Sequence, residues 1–199
     1  MQRTFLNPYF PTMRRVRQKT SSHCAPAVLE MLASFVGKDA DQDAFVEAAE
    51  AAEKLRVYGM TVDEMGRAVT RLLPDAQFWY KHHGTLSELT EIVRIHKFPV
   101  GVEWQGVFYE DADEDNGHYS IVTHIDTVNN IIVLADPYKR FAGSDRSFHV
   151  LEFEERWWDE NEIIDTWSRK HNIVSDEHTM FIITPKDAFF PEYLGMYRG

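Results

Sequence analysis

The chain carries one cysteine, Cys24, inside the segment Gln18-Lys19-Thr20-Ser21-Ser22-His23-Cys24-Ala25-Pro26-Ala27. This cysteine stands at the start of a helix that the downstream pattern predicts. There the unpaired N–H groups and the positive end of the helix dipole favour a thiolate, the form that attacks carbonyl carbon. Gln18 lies on the chain leading into the same helix. If that chain folds back, its amide would point at the oxyanion of a tetrahedral intermediate, with the backbone N–H of Cys24 as second donor. A lone cysteine is more often a small buried hydrophobe than a nucleophile. A base has to come from elsewhere in the chain.

Gly117-His118-Tyr119-Ser120-Ile121-Val122 offers one. His118 opens a strongly apolar strand directly after an acidic run, which places it at a sheet rim near solvent. An imidazole there can take a thiol proton and return it to a leaving amine. Leu134-Ala135-Asp136-Pro137 offers the third group. Asp136 closes the next strand, because Pro137 has no N–H for a sheet ladder. An antiparallel pair joined near Asn129-Asn130 brings the start of the first strand beside the end of the second. Their unequal lengths require a stagger or bulge. Asp136 would then accept from His118 and fix its tautomer.

The elements that must hold these groups follow from periodicity and capping. A helix is expected from Cys24 or Pro26 to Phe35, with Ser21 and Ser22 as candidate caps and Gly37 as its stop. Val28, Leu29, Leu32, Phe35 and Val36 recur at helical spacing and mark one buried face. Asp41 to Leu55 reads as a second helix. Thr61 to Leu72 and Thr85 to His96 each open on a capping box, Thr61 with Glu64 and Thr85 with Glu88. Strands are expected at Gln77–Tyr80, Val100–Trp104, His118–Asp126, Ile131–Ala135 and Thr179–Thr184. Phe148 to Trp158 starts as a strand and continues as a helix, with Phe153 and Trp157 on one face. Helices first and antiparallel strands afterwards indicate an α+β fold.

Taken in order, Gln18 and Cys24 with Cys-x-Pro-Ala, Gly-His-Tyr leading an apolar strand, and Asp-Pro closing the next resemble the bacteriocin-processing cysteine peptidases. These double-glycine leader peptidases belong to the papain-like superfamily. Phe153-Glu154-Glu155-Arg156-Trp157 also resembles that family's Phe-x-x-x-Trp helix. The resemblance runs from Gln18 to about Trp157. It implies a papain-like arrangement with Cys24 as nucleophile, His118 as base, Asp136 as its orienter and Gln18 as side-chain oxyanion donor. Where the family commonly reads Cys-Gly-Pro, this chain has Cys24-Ala25-Pro26. The alanine tolerates an ordinary helical entry and is expected to add a methyl group at the cleft.

With 199 residues, 44% hydrophobic and 27% charged, the chain is long enough for a full core and is expected to form one domain over 1–199, with 1–17 as an N-terminal arm. The formal charge of −11 argues against nucleic acid or an anionic membrane surface as partner. The run from Glu110 to Asp115 reads as a solvated loop and lacks the spacing of a calcium loop. No basic-then-apolar leader opens the chain, no apolar run reaches a membrane span, and one cysteine makes no internal disulfide. A reducing cytoplasm is the expected setting.

No cofactor is needed by the chemistry, and no metal set is expected. His82-His83 reads as a surface turn. His118 and His124, though of one strand parity, lie ~20 Å apart at the usual rise and are too far apart to share an ion. Trp157-Trp158 and Trp167 read as packing residues. The tail after Pro185, with Phe189, Phe190, Tyr193 and Tyr197, is available to pack on the domain or on a second copy in a homo-oligomer. The expected function is thiol-dependent hydrolysis of a peptide or other amide bond. A non-catalytic papain-like binding module and an acyltransferase using the same residues are the alternatives.

Overall fold

Cys24–Phe35 forms the first helix, α1, and Gly37 ends it with a left-handed φ of 74°. The helix is capped at His23 without a side-chain hydrogen bond, so neither Ser21 nor Ser22 supplies the cap. Pro26 sits in the first turn, where its missing N–H removes no helical bond. The computed structural model describes residues 4–5, 9–107, 117–164 and 171–199, with backbone alone for 4–5, 161–164 and 171–172. The acidic run from Glu110 to Asp115 and Trp167 lie outside the described residues.

The helix expected over Asp41 to Leu55 is instead two, α2 Gln42–Ala48 and α3 Leu55–Tyr58. Between them Glu50 takes a left-handed φ of 57°. The N–H of Ala51 bonds Val46 O at 3.1 Å and that of Glu50 bonds Glu47 O at 2.9 Å, the paired bonds of a Schellman stop. Ala49 and Ala51 are thereby buried, and this tertiary gain overrides an Ala- and Glu-rich helical propensity. α4 Val62–Leu72 and α5 Leu86–Glu91 both open on complete capping boxes, and α5 runs on into a π-helical turn, Ile92–His96.

Eight antiparallel strands form one sheet: β1 Thr4–Phe5, β2 Ala76–Lys81, β3 Val100–Gln105, β4 Gly117–Asp126, β5 Ile131–Ala135, β6 Asp145–His149, β9 Met180–Pro185 and β10 Tyr197–Arg198. Their order across it is β1-β6-β5-β4-β3-β9-β2-β10. β7 Trp158–Ile164 and β8 His171–Glu177 pair separately as a hairpin that the apolar pattern did not announce. A short helix, α6 Val150–Glu154, links β6 to that hairpin, and Phe153 and Trp157 do meet, with ring centroids 5.4 Å apart.

The sheet is apolar on both faces. Helices α1, α2 and α4 cover one with Val28, Leu29, Leu32, Phe45, Met65 and Val69, meeting Phe78, Ile121 and Phe181. α5, its π turn and α6 cover the other, where Leu89, Ile92, Phe153 and Trp157 meet Val102, Trp104, Ile125 and Ile182. From the tail, Phe190 and Leu194 join this second layer and β10 pairs with β2, whereas Phe189, Tyr193 and Tyr197 stay exposed.

The bulge required between His118 and Asp136 falls between Val122 and His124. Thr123 is the extra residue, buried and donating to Val133 O at 3.2 Å and Asp145 Oδ2 at 3.0 Å. An extra residue reverses side-chain alternation beyond it. Val122 and Ile125 therefore pack into the same layer. His118 and His124 accordingly do not share parity, and His124 instead stacks on Tyr9 of the arm at 3.9 Å.

Candidate active site

Three segments distant in sequence are tied together before any catalytic group is considered. Arg15 fastens the arm to the sheet, donating through Nε and Nη2 to Asp145 at 2.8 and 2.9 Å. Further along, the Gln18 N–H donates to Pro137 O at 2.9 Å. Gln42, buried on α2, brackets the same stretch: Lys19 N donates to its Oε1 at 2.9 Å, and its Nε2 donates to Arg17 O at 3.0 Å. These bonds seat the arm against the Asp136-Pro137 corner and deliver the chain into α1.

Cys24, in the first turn of α1, is partly exposed and free of disulfide. The His118 ring and the backbone N–H groups of Tyr119 and Ala25 lie around its sulfur and favour the thiolate. His118 Nε2 lies 2.8 Å from Asp136 Oδ1, which leaves Nδ1 as the ring nitrogen for the thiol. His118 is only 4% exposed and Asp136 3%, so the histidine is buried rather than at a solvent-facing rim as its position after a charged run suggested. Its cross-strand partner on β3 is Trp104.

Burial and pairing compete in each group, and pairing wins. Burial alone would push the Cys24 thiol up, but the hydrogen bond and charge of His118 bring it below the ordinary cysteine value. Burial likewise disfavours a charged His118, yet the Asp136 carboxylate and the bond to Cys24 raise it from 6.5 to about 9. Asp136 is held below the ordinary aspartate value against its own burial by His118, Arg146 and the Tyr138 N–H. Both shifts run towards a thiolate beside an imidazolium, the arrangement that activates a sulfur nucleophile.

Gln18 is buried next to these groups, and its Nε2 donates to Thr20 O at 2.7 Å and Ser21 O at 3.0 Å. Its Oε1 has no hydrogen-bond partner among the described residues. A primary amide has two hydrogens to give. Both are called on by the backbone here.

The thiol opens onto a cleft of about 1000 Å³ between the helical layer and the sheet. Ser22, Val57, Tyr58, Met60 and Val62 line it from the helical side, and Glu103, Gly117, Tyr119, Asp159 and Val174 from the other. A Cβ on Gly117 would stand 2.5 Å from both Asp159 carboxylate oxygens, so any larger residue there would have to displace that carboxylate. Burial and the Glu103 carboxylate push the Tyr119 phenol well above its ordinary value. Ala25 does not line the cleft. It is 0% exposed with its methyl group in the core, which corrects the expectation that the substitution reaches the substrate side.

Arg146 was not legible in the sequence as part of this site. Its Nη1 donates to Asp136 Oδ2 at 2.7 Å and its Nη2 to Val107 O at 2.9 Å. Flanked on β6 by the polar Asp145 and Ser147, it carried no signal in the sequence that it would be buried. Among the described residues no cluster of three or more His, Cys, Asp or Glu could hold a metal ion, and no helix is long and apolar enough to cross a membrane.

A helix-borne thiol packed against an antiparallel sheet, with a histidine at the start of one strand and an aspartate after the next, defines a papain-like cysteine peptidase fold. The chain belongs to the Peptidase_C39 like family, whose model matches residues 10–162. It is similar to the peptidase domain of Streptococcus ComA, a bifunctional ABC transporter involved in quorum sensing. That likeness has 15% identity and a TM-score of 0.58 over 87% of this chain and 98% of that one. It is also similar to a double glycine motif protease from an AMS/PCAT transporter in complex with the leader peptide. There the identity is 13% and the TM-score 0.56, over 93% of this chain and 99% of that one. No curated protein matches the chain.

Proposed function

We propose that this chain is a thiol-dependent hydrolase that cleaves a peptide or other amide bond, with residues 1–199 forming one catalytic domain. The observation that carries the reading is the convergence of three groups distant in sequence: the Cys24 thiol is coupled to the buried His118 ring, whose Nε2 lies 2.8 Å from Asp136 Oδ1. The Cys24 thiolate attacks the carbonyl carbon, and the electron pair of the C=O moves onto oxygen. As the oxyanion collapses, the C–N bond breaks and the His118 imidazolium gives its proton to the leaving amine. Water then attacks the thioester, His118 takes the water's proton, and the acid leaves with the thiolate restored. An amine in place of water would make the same step an acyl transfer.

Two donors serve the oxyanion in this reading, the Cys24 N–H and the Gln18 amide. Gln18 would give up its longer bond, to Ser21 O, to reach it. The substrate class is a peptide in extended form along the cleft, in keeping with the leader peptide bound to the double glycine motif protease it resembles. A reducing compartment such as the cytoplasm suits a chemistry that depends on a free thiol.

A second reading, a binding module that keeps the cleft without turnover, is favoured by one observation: the Gln18 amide is engaged with the backbone rather than held open. Incubation with a peptide pool that includes sequences ending in two glycines separates the readings by mass spectrometry. Cleavage that disappears in Cys24→Ala supports the hydrolase. Binding without cleavage supports the module, and cleavage surviving in Cys24→Ala would sink both assignments of the thiol.

A further inference from the structure

Asp136 has two carboxylate oxygens with different duties. Oδ1 accepts from His118 and from the Tyr138 N–H at 2.9 Å, and Oδ2 accepts from Arg146. Arg146 is held through its two terminal nitrogens and by two aromatic rings, while its Nε has no hydrogen-bond partner among the described residues. Its second nitrogen is tethered to Val107 O, its guanidinium lies 3.6 Å from the Phe141 ring centroid, and the Phe148 ring stands 4.8 Å away. Its position on β6 is opposite Leu134, two residues before Asp136 on the neighbouring strand.

A buried arginine is an expensive way to fill space among apolar side chains, since a buried ion pair rarely outdoes packed hydrophobes in stability. What a guanidinium does that an apolar group does not is fix a plane. Its fork holds two acceptors in one fixed geometry, and a lysine ammonium does not. Held at Oδ2, the Asp136 carboxylate has no freedom to turn about its Cβ–Cγ bond, so Oδ1 stays in line with His118.

We propose that Arg146 is a positioning residue that acts through Asp136 to keep His118 oriented and protonated toward Cys24. This rests on the reading of Cys24 and His118 as a reactive pair. Two effects oppose each other when Arg146 is removed. The loss of a cation near His118 would raise its proton affinity. The loss of the donor on Oδ2 leaves a buried carboxylate oxygen unpaired, so Asp136 turns away or takes up a proton, and either lowers it. The second prevails, because His118 gains from Asp136 only while the carboxylate is both ionised and aligned.

The test follows iodoacetamide alkylation of Cys24 at pH 6 and the His118 titration by NMR, in the full chain and its Arg146→Met and Arg146→Lys variants. Arg146→Met should lower the His118 midpoint by about one unit and slow alkylation about tenfold. Arg146→Lys, which keeps the charge and loses the fork, should fall between, about threefold slower than the parent chain. If Arg146→Met fails to fold, Arg146→Lys decides alone. A merely structural arginine would lower the thermal midpoint while leaving both titrations in place, and that result, or a raised His118 midpoint, would overturn the proposal. An ordinary Cys24 titration in the parent chain would overturn the reactive-pair reading together with it. A parent chain with an activated thiol and unaltered variants would overturn the role of Arg146 alone.

Discussion

The backbone N–H of Gln18 donates directly to the carbonyl of Pro137, so the approach to Cys24 and the corner that ends in Asp136 are one hydrogen-bonded unit. The helix of Cys24 and the sheet that carries His118 and Asp136 are therefore not positioned independently. Changes at the arm should be felt at the thiol, and the consequences for each group are separable.

Alkylation of Cys24 should proceed at pH 6, where a free thiol of ordinary pKa would be only ~0.3% thiolate. In His118→Ala the rate at pH 6 should drop by roughly two orders of magnitude and recover as pH passes 8.5. Peptide mapping after timed iodoacetamide exposure gives both rates. Equal rates in the two proteins would mean that the helix start, not His118, governs the sulfur.

Asp136→Asn turns an amide NH2 towards either His118 or Arg146, both donors, and should therefore cost stability as well as lower turnover by about 10²–10⁴-fold by losing the imidazolium's counter-charge and tautomer. The His118 midpoint should fall from about 9 towards the ordinary 6.5. NMR titration of the ring reads this directly, and an unmoved midpoint would assign the raised value to the thiolate instead.

Gln18→Ala separates oxyanion stabilisation from thiol activation. Turnover of a cleaved peptide should fall about 10²–10³-fold, the usual loss for one oxyanion donor, while alkylation at pH 6 stays at the parent rate. Parallel loss of both would show that Gln18 acts by holding the Thr20–Ser21 turn to which its amide is bonded.

Stability against pH has a distinctive shape. His118, raised to about 9 from 6.5, stabilises the fold fully below pH 6.5, a contribution lost as pH rises through 9. Cys24 is depressed and has the opposite sign: its contribution is complete above the ordinary thiol value and is lost as pH falls through the folded one. Where the two windows overlap, the folded chain holds the His118 proton and the unfolded chain the Cys24 proton, and the two slopes oppose each other. Cys24→Ser keeps only the first. Relative to the parent chain, it should lose stability as pH rises from the folded thiol value towards the ordinary one, by at most about 1.4 kcal/mol per unit. Urea titrations at pH 6, 7, 8 and 9 measure the difference. A constant difference would mean that His118 owes its raised value to the thiolate.

The helix of Cys24 and the strands of His118 and Asp136 were readable because their signals are local: an apolar stripe closed by glycine, and a period of two closed by proline. The need for a bulge was readable from strand lengths, but not its place, which depends on Thr123 finding Val133 and Asp145. The single helix expected from Asp41 to Leu55 was wrong because the burial of Ala49 and Ala51 is a tertiary effect. Arg146 and Gln42 were invisible for the same reason. Each works by spanning segments far apart in sequence, and neither residue type announces that it will be buried.

The inserted Thr123 gives β4 something like a reading frame. On the His118 side of the bulge, odd positions such as Tyr119 and Ile121 face the helical layer of α1, yet beyond it the odd-numbered Ile125 faces the opposite layer. Deleting that one residue would restore an unbroken alternation, and the two halves of the strand could no longer both be in phase. Either Ile125 would leave its layer or the His118 end of the strand would rotate, so a one-residue deletion more than 10 Å along the strand from His118, at the usual rise of roughly 3.3 Å per residue, would act as a frameshift in three dimensions.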